Sequence, residues 1–155
     1  MDSIKPASEI IKSSDSLNHN GSQNVPHIGQ MITKELINEF TTRFLQPNEV
    51  LLGAFYGNHY NDRKNRRIGL PFSYLIATNQ RLIRLARSSV FEDRTFLSYD
   101  EIANVEICTE YLEAEIIMSV KGKEMVFHSP FKDEVQKAWK LIRKQLSGTK
   151  STCVD

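Results

Sequence analysis

The chain has 155 residues, 40% hydrophobic and 25% charged, the composition of one globular domain with a buried core. Its formal net charge of +1 excludes a surface given over as a whole to nucleic acid, so any anion contact must come from local clustering. Two distant cysteines, Cys108 and Cys153, make neither a disulfide framework nor a metal site, and no run approaches the ~18 apolar residues of a membrane-spanning helix.

The chain start lacks the basic stretch and apolar run of a signal peptide, so the cytoplasm is the expected address. Residues 1–28 are rich in Ser, Asn and Gln and are expected to form a disordered tail. Residues 30–46 read as an amphipathic helix. Ile32, Leu36, Ile37, Phe40 and Phe44 form one apolar stripe, ended by Pro47 and Asn48. The stripe is expected to pack on its own domain, with an oligomer contact as the alternative.

From Val50 the pattern changes to strands. The expected runs are Val50–Gly57, Leu70–Thr78, Arg81–Arg87, Arg94–Tyr99, Asn104–Thr109, Leu112–Val120 and Lys123–His128. Asn79-Gln80 and Lys121-Gly122 mark tight turns. In the sixth run Leu112, Ala114, Ile116, Met118 and Val120 alternate with Glu113 and Glu115, which are expected to face solvent. His128 is expected on the outer face of the last strand. A helix follows, with Ser129 as cap, Pro130 at its first position and an apolar face of Val135, Ala138, Trp139, Ile142 and Leu146. Asp133 and Glu134 near its start and Arg143 and Lys144 near its end complement the helix dipole. Gly148 reads as its stop signal, with residues 148–155 a flexible C-terminus. No helix lies between the strands, so the sheet is expected to be antiparallel.

Three pieces of sequence carry a family likeness. Leu75-Ile76-Ala77-Thr78-Asn79-Gln80-Arg81-Leu82-Ile83 resembles the Thr-Asn-x-Arg-Leu signature of bacterial pleckstrin-homology-like domains, the YokE-like group, to which the pattern of GRAM domains is related. Leu97 to Val105 resembles the family's passage through an acidic pair and an Ile, and the Trp139 helix resembles its closing helix. The resemblance covers about residues 48–147. It implies a mainly β fold with α: a bent antiparallel seven-stranded barrel capped by a C-terminal helix, here with one added N-terminal helix. Arg81 is then expected either to be solvated or to partner a nearby carboxylate.

The segment Asn58 to Gly69 is longer and more basic than a hairpin requires. In eukaryotic relatives of the fold the loop between the first two strands grips inositol phosphates. The resemblance thus implies an anion site at His59, Arg63, Lys64, Arg66 and Arg67, with Tyr60 adding a hydrogen bond. A solvated hairpin tip is the competing reading. No phosphate loop, nucleophile elbow or paired-histidine motif is present, so the expected protein has no catalytic residues, no metal site and no cofactor. Expected partners are an anionic lipid, a protein or a second copy. Nucleic acid is a minor option, and the expected place is the cytoplasm or the inner face of a membrane. The alternative is a self-associating structural protein without a small ligand.

Overall fold

The computed structural model describes residues 25–60 and 72–150, with side chains as far as Leu146. The elements are β1 (His27–Ile28), α1 (Lys34–Arg43), β2 (Leu51–Tyr56), β3 (Asn58–Tyr60), β4 (Phe72–Thr78), β5 (Arg81–Arg87), β6 (Glu92–Ser98), a 3-10 turn (Tyr99–Glu101), β7 (Ile102–Thr109), β8 (Ala114–Val120), β9 (Lys123–Ser129) and α2 (Lys132–Lys150). They form a five-stranded sheet in the order β1-β2-β4-β5-β6 and a four-stranded sheet in the order β3-β9-β8-β7. All pairings are antiparallel except β1 with β2.

Seven of these strands lie where the alternation of the sequence expects them. The two others differ. His27–Ile28, expected to belong to the tail, pair in parallel with Gly53 and Ala54. Asn58–Tyr60, expected to open a basic loop, form β3 against Val126 to His128. Only Gly57 separates β2 from β3, so one strand passes from the first sheet to the second by bending there. A Cβ at Gly57 would fall on the His128 carbonyl oxygen and the Phe127 ring, which is why the corner is a glycine. The Lys121-Gly122 turn has φ of 51° and 77°, the left-handed pair of a two-residue hairpin.

The two faces of the first sheet bury different sets of residues. Leu75, Ala77, Leu82 and Leu97 face the second sheet and meet Ile116, Met118 and Phe127, with Val135, Ala138, Ile142 and Leu146 of α2 closing the space. Tyr74, Ile76, Ile83 and Leu85 face outward and are covered by Phe40 and Phe44, with Ile32, Leu36 and Ile37 packed alongside. The apolar stripe of α1 is therefore used within its own domain. Thr33 caps α1 through the Leu36 N–H. Glu39 bonds both Arg43 and Arg87, and Arg43 reaches Glu92. Hydrogen bonding from Arg87 is the main influence holding the Glu39 carboxyl below its usual pKa.

The end of the chain also departs from expectation. Ser129 closes β9 and its Oγ accepts from the Phe131 N–H, and α2 begins at Lys132 and continues through Gly148. A Gly in a helix interior costs about 1 kcal/mol, which the packing of the preceding turns offsets. The expected tail from 1 to 24, residues 61–71 and the terminal residues 151–155 lie outside the described residues.

Candidate functional site

The signature around Thr78 is a structural clasp. The Glu49 side chain is fully buried and accepts from Thr78 Oγ1 at 2.7 Å, from Arg81 Nε at 2.8 Å and from the Gln46 N–H at 2.9 Å. Arg81 also donates to the Phe44 carbonyl at 2.7 Å and stacks on the Phe96 ring at 4.4 Å. Burial alone would raise the Glu49 pKa, but the bonds from Arg81, Gln46 and Thr78 outweigh it and hold the carboxyl below its usual value. Asn79 Oδ1 accepts from the Val50 N–H, and Tyr99 donates to the Thr78 carbonyl at 2.6 Å. Of the two expected roles for Arg81, partnering a carboxylate is the one the geometry has. The clasp ties the end of α1 to the β4–β5 turn.

The basic segment leaves from Tyr60 and returns at Phe72, at the opposite end of β4. His59 is on the inner face of β3, opposite Phe127, whose ring centroid lies 5.3 Å away. Its Nε2–H donates to the Tyr74 carbonyl at 2.8 Å, and its Nδ1 accepts from Arg84 Nε at 3.4 Å. One imidazole thus links the two sheets. Burial, assisted by the Arg84 charge, pushes its pKa down to about 3, so the ring is neutral at ordinary pH and both nitrogens are engaged. His59 thus holds the Arg84 side chain. Arg63, Lys64, Arg66 and Arg67 lie outside the described residues.

Arg84 is the residue at this end that sequence reasoning missed. It alternates with Leu82 and so projects inward, where an apolar strand pattern gives no cue for a cation. Burial lowers its pKa, and the more distant Asp93 carboxylate pulls the other way. Among the described residues it forms no ion pair. The β5–β6 tip stands at the same end, since Phe72 pairs with Arg87 and Arg87 with Glu92. There Val90 is 93% and Phe91 55% exposed.

The outer face of the second sheet carries the other polar cluster. His128 Nε2 lies 2.6 Å from Glu113 Oε2, and its ring meets that of Tyr60. Glu115, expected to face solvent, is only 3% exposed. It sits opposite both Cys108 and His128 on the central strand of three, so neighbours on either side close over it. Cys108, Glu110, Glu113, Glu115 and His128 line a shallow depression. Among the described residues no group of three or more His, Cys, Asp or Glu is arranged to hold a metal ion, and no helix is long and apolar enough to cross a membrane.

Comparison with known proteins agrees with this architecture. The sequence profile described as Bacterial PH domain matches residues 45–144. No curated protein matches the chain. Among solved structures, the chain is similar to the Vps36 N-terminal PH domain, with a TM-score of 0.58 and 15% identity over 69% of this chain and 86% of that one. It is also similar to the C-terminal domain of an unknown protein from Leishmania infantum, with a TM-score of 0.51 and 15% identity over 72% and 95% of the two chains. A protein with a pleckstrin-homology domain from Shewanella loihica gives 0.46 and 18% over 76% and 96%. The likeness to the Vps36 and Leishmania domains speaks for the fold, and the profile speaks for the family. Its match runs from the loop after α1 to the last turns of α2, most of the chain, and the chain therefore belongs to the bacterial PH domain family.

Proposed function

We propose that the chain is a non-enzymatic PH-type binding module that contacts an anionic surface, a lipid headgroup or a phosphorylated ligand, at the end of the two sheets where the chain leaves β3 after Tyr60. The observation that carries this reading is Arg84, a half-buried guanidinium without an ion-pair partner among the described residues, oriented by a neutral His59. A cation kept from water in this way is stabilised by an incoming anion. Arg63, Lys64, Arg66 and Arg67 add four positive charges in the segment that joins β3 to β4. Val90 and Phe91 add an apolar tip that suits the boundary of a lipid layer. The module acts in the cytoplasm, at the inner face of a membrane.

Each basic residue near an anionic bilayer contributes about 1 kcal/mol, so four give roughly 4 kcal/mol, an affinity near millimolar. Insertion of Phe91 or a second copy of the chain supplies the remainder. The test is co-sedimentation with vesicles of graded anionic lipid at low and high salt. The wild type should sediment with the anionic vesicles and be released by salt. A variant with Arg63, Lys64, Arg66 and Arg67 all changed to Ser should lose most of this binding, and Val90→Ser with Phe91→Ser should weaken it without changing the salt dependence. Equal sedimentation of wild type and the four-Ser variant would sink the reading. It would leave self-association without a small ligand as the better account.

A further inference from the structure

Arg84 stands in the middle of β5, and its neighbours restrict what can reach it. On β4 it pairs with Leu75, a fully buried core residue, and on β6 with Thr95, which is half-buried. Asp93 lies two residues away on the same face of β6 and is exposed. The stem of Arg84 therefore rests on the apolar core, with its head recessed between the sheets. His59 takes one of its donors, Nε, and among the described residues the two terminal nitrogens have no hydrogen-bond partner. They form the fork that matches two oxygens of one anion. His59 is itself fixed by the Tyr74 carbonyl at 2.8 Å, so the fork is held before a ligand arrives.

We propose that Arg84 is the specificity-determining residue of this site, and that it selects a terminal phosphate, carried on one ester bond, over a phosphate bridged on both sides. This selectivity rests on the anion-binding reading above and names the group that binds there. The physical reason is reach. A recessed guanidinium is met by a group that projects from its carrier with its oxygens free of substituents. A bridged phosphate brings a chain on each side, and both chains would have to enter space that Leu75, Thr95 and His59 already line. The Thr95 hydroxyl, on the residue directly opposite, is a donor for a further oxygen. Exposed cations on flexible stems respond to either kind of phosphate by charge alone. The Asp93 carboxylate acts on the same guanidinium and opposes added negative charge, so it limits the affinity.

A terminal phosphate occurs on lipid headgroups and on soluble esters, and the test separates the two. The full chain is sedimented with phosphatidic acid vesicles (terminal phosphate) and phosphatidylglycerol vesicles (bridged phosphate), matched in surface potential. The wild type should bind the first about ten-fold more tightly. Arg84→Lys keeps the charge and removes the fork, and it should bind both vesicles alike. Asp93→Asn, an exposed change, should strengthen binding to phosphatidic acid, which covers the case of an Arg84 variant that does not fold. In solution, glycerol 3-phosphate should shift the Arg84 Nε–H resonance at lower concentration than dimethyl phosphate does. Equal affinity of the wild type for both vesicles overturns the selectivity and leaves the anion-binding reading standing, as does a folded Arg84→Lys that keeps the preference. A response to glycerol 3-phosphate without vesicle binding supports the selectivity, makes the source a soluble ester and refutes the surface contact. Preference for phosphatidic acid vesicles without that response makes the source a lipid. Binding to neither overturns both.

Discussion

His59 illustrates how one residue's ionisation becomes a property of the whole fold. Its pKa of about 3 lies below its ordinary value of 6.5, so the unfolded chain takes up a proton that the folded chain refuses. The resulting stability is complete above pH 6.5 and is lost as pH falls from there toward 3, at no more than about 1.4 kcal/mol per pH unit. Glu39 and Glu49, whose pKa values are lowered from 4.5, lose their contribution only below that value, so the window from 6.5 to 5 belongs to His59. Urea midpoints measured across this window should fall with pH for the wild type. His59→Phe keeps the packing against Phe127 and should give a flatter curve at lower stability. Parallel curves would mean that the imidazole titrates normally and does not bridge the sheets.

At the scale of the element, the decisive feature is the bend between β2 and β3. A straight strand of this length would stay in one sheet. Gly57 lets its second part cross to the other, where it pairs with β9 and delivers His59 to the inner face. The Gly57 N–H still bonds to the Ser73 carbonyl at 3.0 Å, so the bend keeps its backbone satisfied. Gly57→Val forces a side chain into the His128 carbonyl and Phe127, and overpacking of this kind costs about 1–3 kcal/mol or more. The expected outcome is a lower thermal midpoint with hydrogen-exchange protection lost first in β3 and β9. Protection lost uniformly would argue that β3 is not a separate unit.

For the whole molecule, α1 matters because it lies outside the matched family region yet covers one side of it. Phe40 and Phe44 sit on Tyr74, Ile76, Ile83 and Leu85, a row that residues 45–144 alone would leave bare. A chain lacking residues 1–44 should therefore keep its β-sheet circular dichroism but associate, rising in mass by light scattering as concentration increases. A stable monomer would show that the outer face of the first sheet needs no cover. The same packing explains why the amphipathic stripe of α1 is not the self-association surface that its periodicity allows.

Features that depend on neighbours within a few residues were legible in the chain before folding was considered. Alternation placed seven strands, the Lys121-Gly122 pair placed a hairpin, and the apolar spacing of Val135, Ala138, Ile142 and Leu146 placed the closing helix on its buried face. The Thr78-Asn79-x-Arg81-Leu82 run pointed to the family, and in the fold Thr78 and Arg81 close on Glu49 and Phe44. Which polar residues are buried emerged from packing between distant segments. Glu115 has the period of an outward residue and is covered because β8 is a central strand. His59 lies in a stretch that reads as a basic loop and faces inward because Gly57 turns the strand. Arg84 became part of the candidate site because His59, 25 residues earlier, reaches it from the other sheet. Periodicity reports which way a side chain points relative to its own backbone. Burial and charge depend on what another part of the chain brings to that side, and this is settled only when the sheets meet.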